Sequence, residues 1–248
     1  MPDAKVIRIG IVGVGTVGQG VLDVLQMNQA VIERRLGAQL QITRIGSSKT
    51  AQMLDLDQKF PGHSIQMHTD VMDVARAPDV DLLLELIGGV EIAKEVVLIA
   101  LQNGKHVVTA NKALIATHGE ALYAEARDQK VQLLCESSVA GGIPIMKALR
   151  EGLAANEVNW LAGIINGTCN FILTAMAQEG KDFTPTLAEA QKLGYAEADP
   201  RFYIHGIDAA HKLCIMASTA FGMPLDFDAL AIQGIESVAI EDIEHAKT

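Results

Sequence analysis

From Val6 to Val12 the chain reads VIRIGIV, a short β-rich run that stops abruptly in glycines, as a strand leading into a tight turn does. Apolar residues then recur at helical spacing, with Val17, Val21, Val24 and Leu25 on one face, and the pattern fades near Arg35. A second strand is expected at Gln39–Ile45, followed by a polar, irregular segment from Gly46 to Gly62 with some helix. Val80–Ile87 (VDLLLELI) is nearly continuously apolar and closes on Gly88-Gly89, the pattern of a central parallel strand. Glu91–Gln102 is an amphipathic helix that Asn103-Gly104 ends. His106–Thr109 and Val131–Cys135 read as two more short strands, with a helix near Glu120–Asp128 between them.

Strand and helix thus alternate, which in one sheet means parallel strands, right-handed crossovers and helices on both faces. Near residue 140 the texture changes. Ser137–Pro144 (SSVAGGIP) is a turn-rich hinge leading into a helix; a strand-like run at Val158–Ile165 follows, then helical stretches near Thr168–Gln178, Thr186–Leu193 and Ile207–Phe221. The expected division is an α/β domain over residues 1–136 and a second, α+β domain over residues 137–248.

Composition narrows the class. Among 248 residues there are 30 acidic and 20 basic side chains, a formal net charge of -10, and no basic run; nucleic-acid backbone binding needs the opposite balance. The longest apolar stretch, Leu161–Ala177, is interrupted by Asn166, Thr168 and Asn170, so no membrane span is expected. The N-terminus lacks the charged and apolar regions of a signal peptide. Cys135, Cys169 and Cys214 are odd in number, widely spaced and set among apolar residues; they read as reduced core thiols of a cytoplasmic protein.

The first candidate site is Gly13-Val14-Gly15-Thr16-Val17-Gly18, a G-x-G-x-x-G turn placed between a strand and a helix. Its first glycine allows the tight turn, the second lets a pyrophosphate approach the backbone, and the third lets helix and strand pack closely. This predicts a Rossmann-type dinucleotide site. Cofactor choice is read at the end of the second strand, where an acid would take the ribose hydroxyls of NAD. Arg44-Ile45-Gly46-Ser47-Ser48-Lys49 carries no acid before Asp55, which favours NADP over NAD. Ligands of such sheets sit beyond the carboxyl ends of the strands. The glycines at Gly88-Gly89, the segment Thr109-Ala110-Asn111-Lys112 and the segment Glu136-Ser137-Ser138 are therefore further candidates.

The second constellation runs from Gly194-Tyr195-Ala196-Glu197-Ala198-Asp199-Pro200 to Gly206-Ile207-Asp208-Ala209-Ala210-His211-Lys212. Asp208 and Lys212 share a helix face. They are either an exposed i,i+4 pair or a partly buried lysine able to move a proton. The seven histidines make no metal-ligand spacing with each other or with the cysteines, and His211 reads as a packed or solvent-facing helix residue.

Together these motifs resemble homoserine dehydrogenase along essentially the whole chain. The resemblance is carried by Gly13–Gly18, Glu85-Leu86-Ile87-Gly88-Gly89, Thr109-Ala110-Asn111-Lys112-Ala113 and Glu136–Pro144. It continues in Asn166-Gly167-Thr168-Cys169-Asn170-Phe171-Ile172-Leu173 and Gly194–Lys212. It implies an NAD(P)H-dependent oxidoreductase acting on a CH–OH group. Such an enzyme reduces aspartate 4-semialdehyde to homoserine on the route to threonine, methionine and isoleucine. It implies Lys212 as the proton-transferring residue, Glu197, Asp208 and Lys112 as substrate-binding, and Gly13, Gly15, Thr16, Val17, Gly18, Gly88, Thr109 and Lys112 as cofactor-binding. It also implies a sodium ion held near Glu136 and by carbonyls of Val139, Gly141 and Ile143, and a homodimer.

Two departures qualify it. Tyr203 stands where the family usually has an aspartate, and family members usually run longer, so the substrate domain is expected to be incomplete at its C-terminal end. The alternatives are a catalytically impaired dinucleotide-binding homologue and a related dehydrogenase for another small aldehyde.

Overall fold

The computed structural model of the chain describes residues 5–47 and 56–246. Ser48, Lys49 and Asp55, on which part of the cofactor-choice reading rests, lie outside the described residues. The chain divides into two compact units, one up to Pro144 and one from Ile145.

In the first unit β1 (Val6–Val12), α1 (Thr16–Leu36), β2 (Gln39–Gly46), α2 (Leu56–Lys59), β3 (Gln66–His68) and α3 (Val71–Arg76) form one half. The other half is β4 (Leu82–Glu85), α4 (Glu91–Gln102), β5 (His106–Thr109), α5 (Lys112–Asp128) and β6 (Leu133–Leu134). The six strands make one sheet in the order β3-β2-β1-β4-β5-β6. Each pairing is parallel, with Val12 opposite both Gly46 and Glu85. Strand β1, paired on both sides, buries Ile9, Ile11 and Val12. The strand order reverses between β1 and β4, and the crevice beyond their carboxyl ends is where such sheets take ligands.

Strands β1 and β5 and helix α4 fall where the hydrophobic pattern puts them. Other elements are corrected. Helix α1 turns a different face inward: Gly18 and Leu22 are buried and Leu25 half-buried, while Val17 and Val24 are exposed. Only Leu82–Glu85 of the run Val80–Ile87 is strand. Helix α5 starts at Lys112 because Asn111 caps it, its side chain accepting from the Leu114 N–H at 3.1 Å. Strand β3 and helix α3 are too short to leave a periodic signal.

The second unit contains α6 (Ile145–Lys147), which runs into a π-helical turn at Ala148–Gly152, then α7 (Gly167–Glu179) and α8 (Phe183–Lys192). After these come α9 (Arg201–Ile204), α10 (Ile207–Phe221) and α11 (Ile240–His245). Ile172, Met176, Ala190, Ala196 and Ile204 form its core. The strand expected at Val158–Ile165 is absent. A strand needs a neighbour for its backbone groups, and this segment pairs with none of the described residues. Trp160 and Ile164 are 76% and 82% exposed. Among the described residues the regular elements of this unit are helices. Among the described residues no helix is long and apolar enough to cross a membrane.

Candidate functional site

The glycine turn closes the end of β1 against both neighbouring strands. The Gly13 N–H donates to the Gly46 carbonyl at 2.9 Å and the Leu86 N–H to the Val12 carbonyl at 2.8 Å. Gly13 has φ +91°, and a Cβ there would lie 2.4 Å from the Leu86 carbonyl oxygen, so neither its conformation nor its surroundings admit a side chain. At Gly18 a Cβ would come within 2.1 Å of the Gly13 carbonyl oxygen. Gly15, by contrast, faces open space. It precedes α1 with no side-chain cap, and the first turn of the helix carries no acid. The result is a helix N-terminus with donor N–H groups and partial positive charge, approached through a position with no side chain. These residues fit a dinucleotide pyrophosphate. Thr16 and Val17 form the exposed start of α1. Arg44 is committed elsewhere: its Nε donates to Asp79 Oδ1 at 2.6 Å and Nη1 lies 2.9 Å from His68 Nε2.

The next strand ends are stitched together by polar side chains. Glu85, fully buried at the end of β4, accepts from the Thr109 hydroxyl and, at 2.8 Å, from the Ile87 N–H. Burial pushes its carboxyl above the ordinary range, and the donors Thr109, Ile87 and Asn111 oppose that shift. Thr109 Oγ1 accepts from the Asn111 N–H at 2.9 Å, and the Asn111 amide reaches the Gly89 carbonyl at 2.6 Å. Ser138 Oγ donates to the Thr109 carbonyl at 3.3 Å. Sequence reasoning assigned Glu85 no role, yet it fixes the loop bearing Gly88 and, through Thr109 and Asn111, the start of α5. Lys112 is the first residue of that helix and half-buried. A cation is unfavourable at this end of the helix dipole by itself and suits an anionic ligand held there.

In the second unit Lys212 and Asp208 lie on the inner side of α10. Lys212 Nζ donates to Asp208 Oδ2 and to the Ile165 carbonyl, each at 2.7 Å. The side chains are 19% and 3% exposed, which excludes the exposed-pair alternative. Asn166, which sequence reasoning quoted without a role, gives its amide to Asp208 Oδ2 at 2.7 Å while its oxygen caps α7 through the Cys169 N–H at 2.8 Å. Glu197 is exposed on the loop before α9, and Tyr203 donates to its Oε1 at 3.1 Å. The Gln191 amide holds the Glu197 and Ala198 carbonyls at 3.1 and 3.3 Å. His211 is packed, its ring centroid 5.6 Å from Phe202 and 4.7 Å from Phe227. The three cysteines form no disulfide.

Around the hinge, Glu136 is half-buried, the Val139 N–H meets the Glu136 carbonyl at 3.4 Å, and the Ile143 N–H donates to the Ala140 carbonyl at 2.8 Å. Ala140 takes φ +48°, so this loop is sharply turned. Among the described residues no group of three or more His, Cys, Asp or Glu side chains could hold a metal ion.

Comparison with known proteins finds matches to both parts of the chain. Residues 13–136 match the family model of the homoserine dehydrogenase NAD-binding domain, and residues 144–248 that of homoserine dehydrogenase. A homoserine dehydrogenase of Pseudomonas aeruginosa is 50% identical over 98% of this chain and 54% of its own length. The crystal structure of a homoserine dehydrogenase from Thiobacillus denitrificans superposes with a TM-score of 0.90 at 48% identity, covering 98% of this chain and 56% of that one. A hyperthermophilic archaeal homoserine dehydrogenase in complex with NADPH reaches a TM-score of 0.77 at 26% identity, covering 94% and 75%. The chain spans about half the length of the curated relatives it matches.

Proposed function

The chain belongs to the homoserine dehydrogenase family, and from that premise we propose that it reduces L-aspartate 4-semialdehyde to L-homoserine, in the synthesis of threonine, methionine and isoleucine. The observation that carries this is the buried Asn166–Asp208–Lys212 network of the second unit, joined in one chain to a dinucleotide-type glycine turn. When bound, a nicotinamide dinucleotide supplies the hydride that reaches the aldehyde carbon. Gly13, Gly15, Thr16, Val17 and Gly18 hold its pyrophosphate, and Gly88, Thr109 and Lys112 line the same strand ends. NADP is the preferred form on the sequence reading, in which no acid follows the second strand before Asp55.

Lys212 is the proton donor. An ammonium has three N–H groups; Asp208 and the Ile165 carbonyl engage two, and the third serves the oxygen on which charge develops as hydride arrives. Asp208 holds the lysine's amino group in place. Together with Glu197 it supplies carboxylate oxygen for the substrate's ammonium group. The hinge offers one carboxylate and turned backbone, an oxygen-only donor set that fits a hard monovalent cation; Glu136 and the carbonyls of Val139, Gly141 and Ile143 would hold sodium there. The protein acts as a homodimer in the cytoplasm.

Lys212→Arg keeps a cation beside Asp208 but cannot release a proton at neutral pH. Its homoserine-dependent reduction of NADP should fall by roughly 10²-fold or more with unfolding temperature unchanged. Lys212→Ala should lose stability as well, because a buried carboxylate is left without its cation. Wild-type turnover in Lys212→Arg would refute the assignment.

A further inference from the structure

Glu197 and Asp208 stand on different elements, a loop and the first turn of α10, and α9 between them carries Tyr203. The phenol oxygen lies 3.1 Å from Glu197 Oε1. At its other end Tyr203 is anchored by its carbonyl, which accepts from Cys169 Sγ at 3.2 Å, and its ring meets Phe202 edge-on with centroids 5.6 Å apart. Burial, then the hydrogen bond to Glu197 and the charges of Glu197 and Asp208, holds the phenol above its usual value, so the hydroxyl stays a donor throughout the neutral range. The Glu197 backbone is separately pinned by Gln191. An exposed glutamate ordinarily samples many rotamers, and fixing it costs side-chain entropy. Here main chain and carboxylate are each held before any ligand arrives, and the neutral phenol adds no charge to a site that already has two carboxylates.

We propose that Tyr203 is a positioning residue that sets specificity for an α-amino substrate: by holding Glu197 Oε1 it presents Oε2 to the substrate's ammonium group. The substrate class rests on the function proposed above. Preorganisation of this kind acts on substrate binding and leaves the hydride step and the dinucleotide untouched.

Tyr203→Phe retains the ring and its packing and removes only the hydroxyl. In the intact chain it should raise the KM for homoserine roughly five- to tenfold, with kcat and the KM for NADP within about twofold. Inhibition by 4-hydroxybutyrate, which lacks the ammonium group, should be unchanged. In a Glu197→Gln background the same substitution should add little further loss. A wild-type KM in Tyr203→Phe, or equal losses for homoserine and 4-hydroxybutyrate, would overturn the proposal while leaving the enzyme's function standing. A wild-type chain that oxidises no homoserine would overturn that function and this inference with it.

Discussion

At Gly15 an added Cβ would meet nothing within 4 Å, whereas at Gly18 it would lie 2.1 Å from the Gly13 carbonyl oxygen. The fold therefore requires a glycine at position 18 but not at position 15. Gly15→Ala should fold with a stability within about 1 kcal/mol of the wild type, since Gly15 already has a backbone conformation open to alanine. Its dinucleotide affinity, read by calorimetric titration, should nevertheless drop at least about tenfold. Gly18→Ala should lose roughly 1–3 kcal/mol of stability by overlap. Equal dinucleotide affinity in Gly15→Ala and wild type would remove the pyrophosphate from this turn. The glycine turn is legible in the sequence because its parts are neighbours. Asn166 and Tyr203 are not: the first acts on Asp208, 42 residues away, and the second matters only once α9 folds it back onto Glu197. Spacing along a chain carries neither relation, although an asparagine before an apolar run does announce a helix cap.

At the scale of elements, the pattern gives strands and long helices but not how they are rotated or paired. Helix α1 presents Gly18 and Leu22 to the sheet rather than its valines, because close approach at Gly18 sets the helix's rotation. Val158–Ile165 has strand-like composition, yet pairing decides a strand, and none of the described residues pairs with it. Entry into the sheet is held by ion pairs: Arg8, near the start of β1, meets Asp81, just before β4, through two hydrogen bonds of 2.9 and 2.6 Å between the side chains. The Arg8 guanidinium holds the Asp81 carboxyl below its usual value, against the cost of burial. Its contribution to stability is therefore present above the unfolded carboxylate pKa of about 3.9 and lost as pH falls through the lower folded value. Both side chains are over a third exposed, so Asp81→Asn should cost only about 0.5–1 kcal/mol at pH 7. In denaturant titrations at a series of pH values that difference should vanish in acid. A difference that stays undiminished or grows as the pH falls into the acid range would contradict the pairing.

For the whole molecule, the alternation of strand and helix indicates a parallel sheet, while the order β3-β2-β1-β4-β5-β6 is set by contacts between distant segments. That order places Gly13 and Leu86–Gly89 at the strand reversal, where a cofactor site is expected. The second unit carries Lys212, its partner Asp208 and Asn166, whose amide donates to Asp208. The proposed activity is hydride transfer from a nicotinamide dinucleotide to an aldehyde. The direct measurement is the stoichiometry of aspartate 4-semialdehyde reduction by the 248-residue chain, following NADPH consumption and homoserine formation together. One homoserine formed per NADPH oxidised is the predicted result. NADPH bound at the glycine turn with no homoserine produced would contradict it.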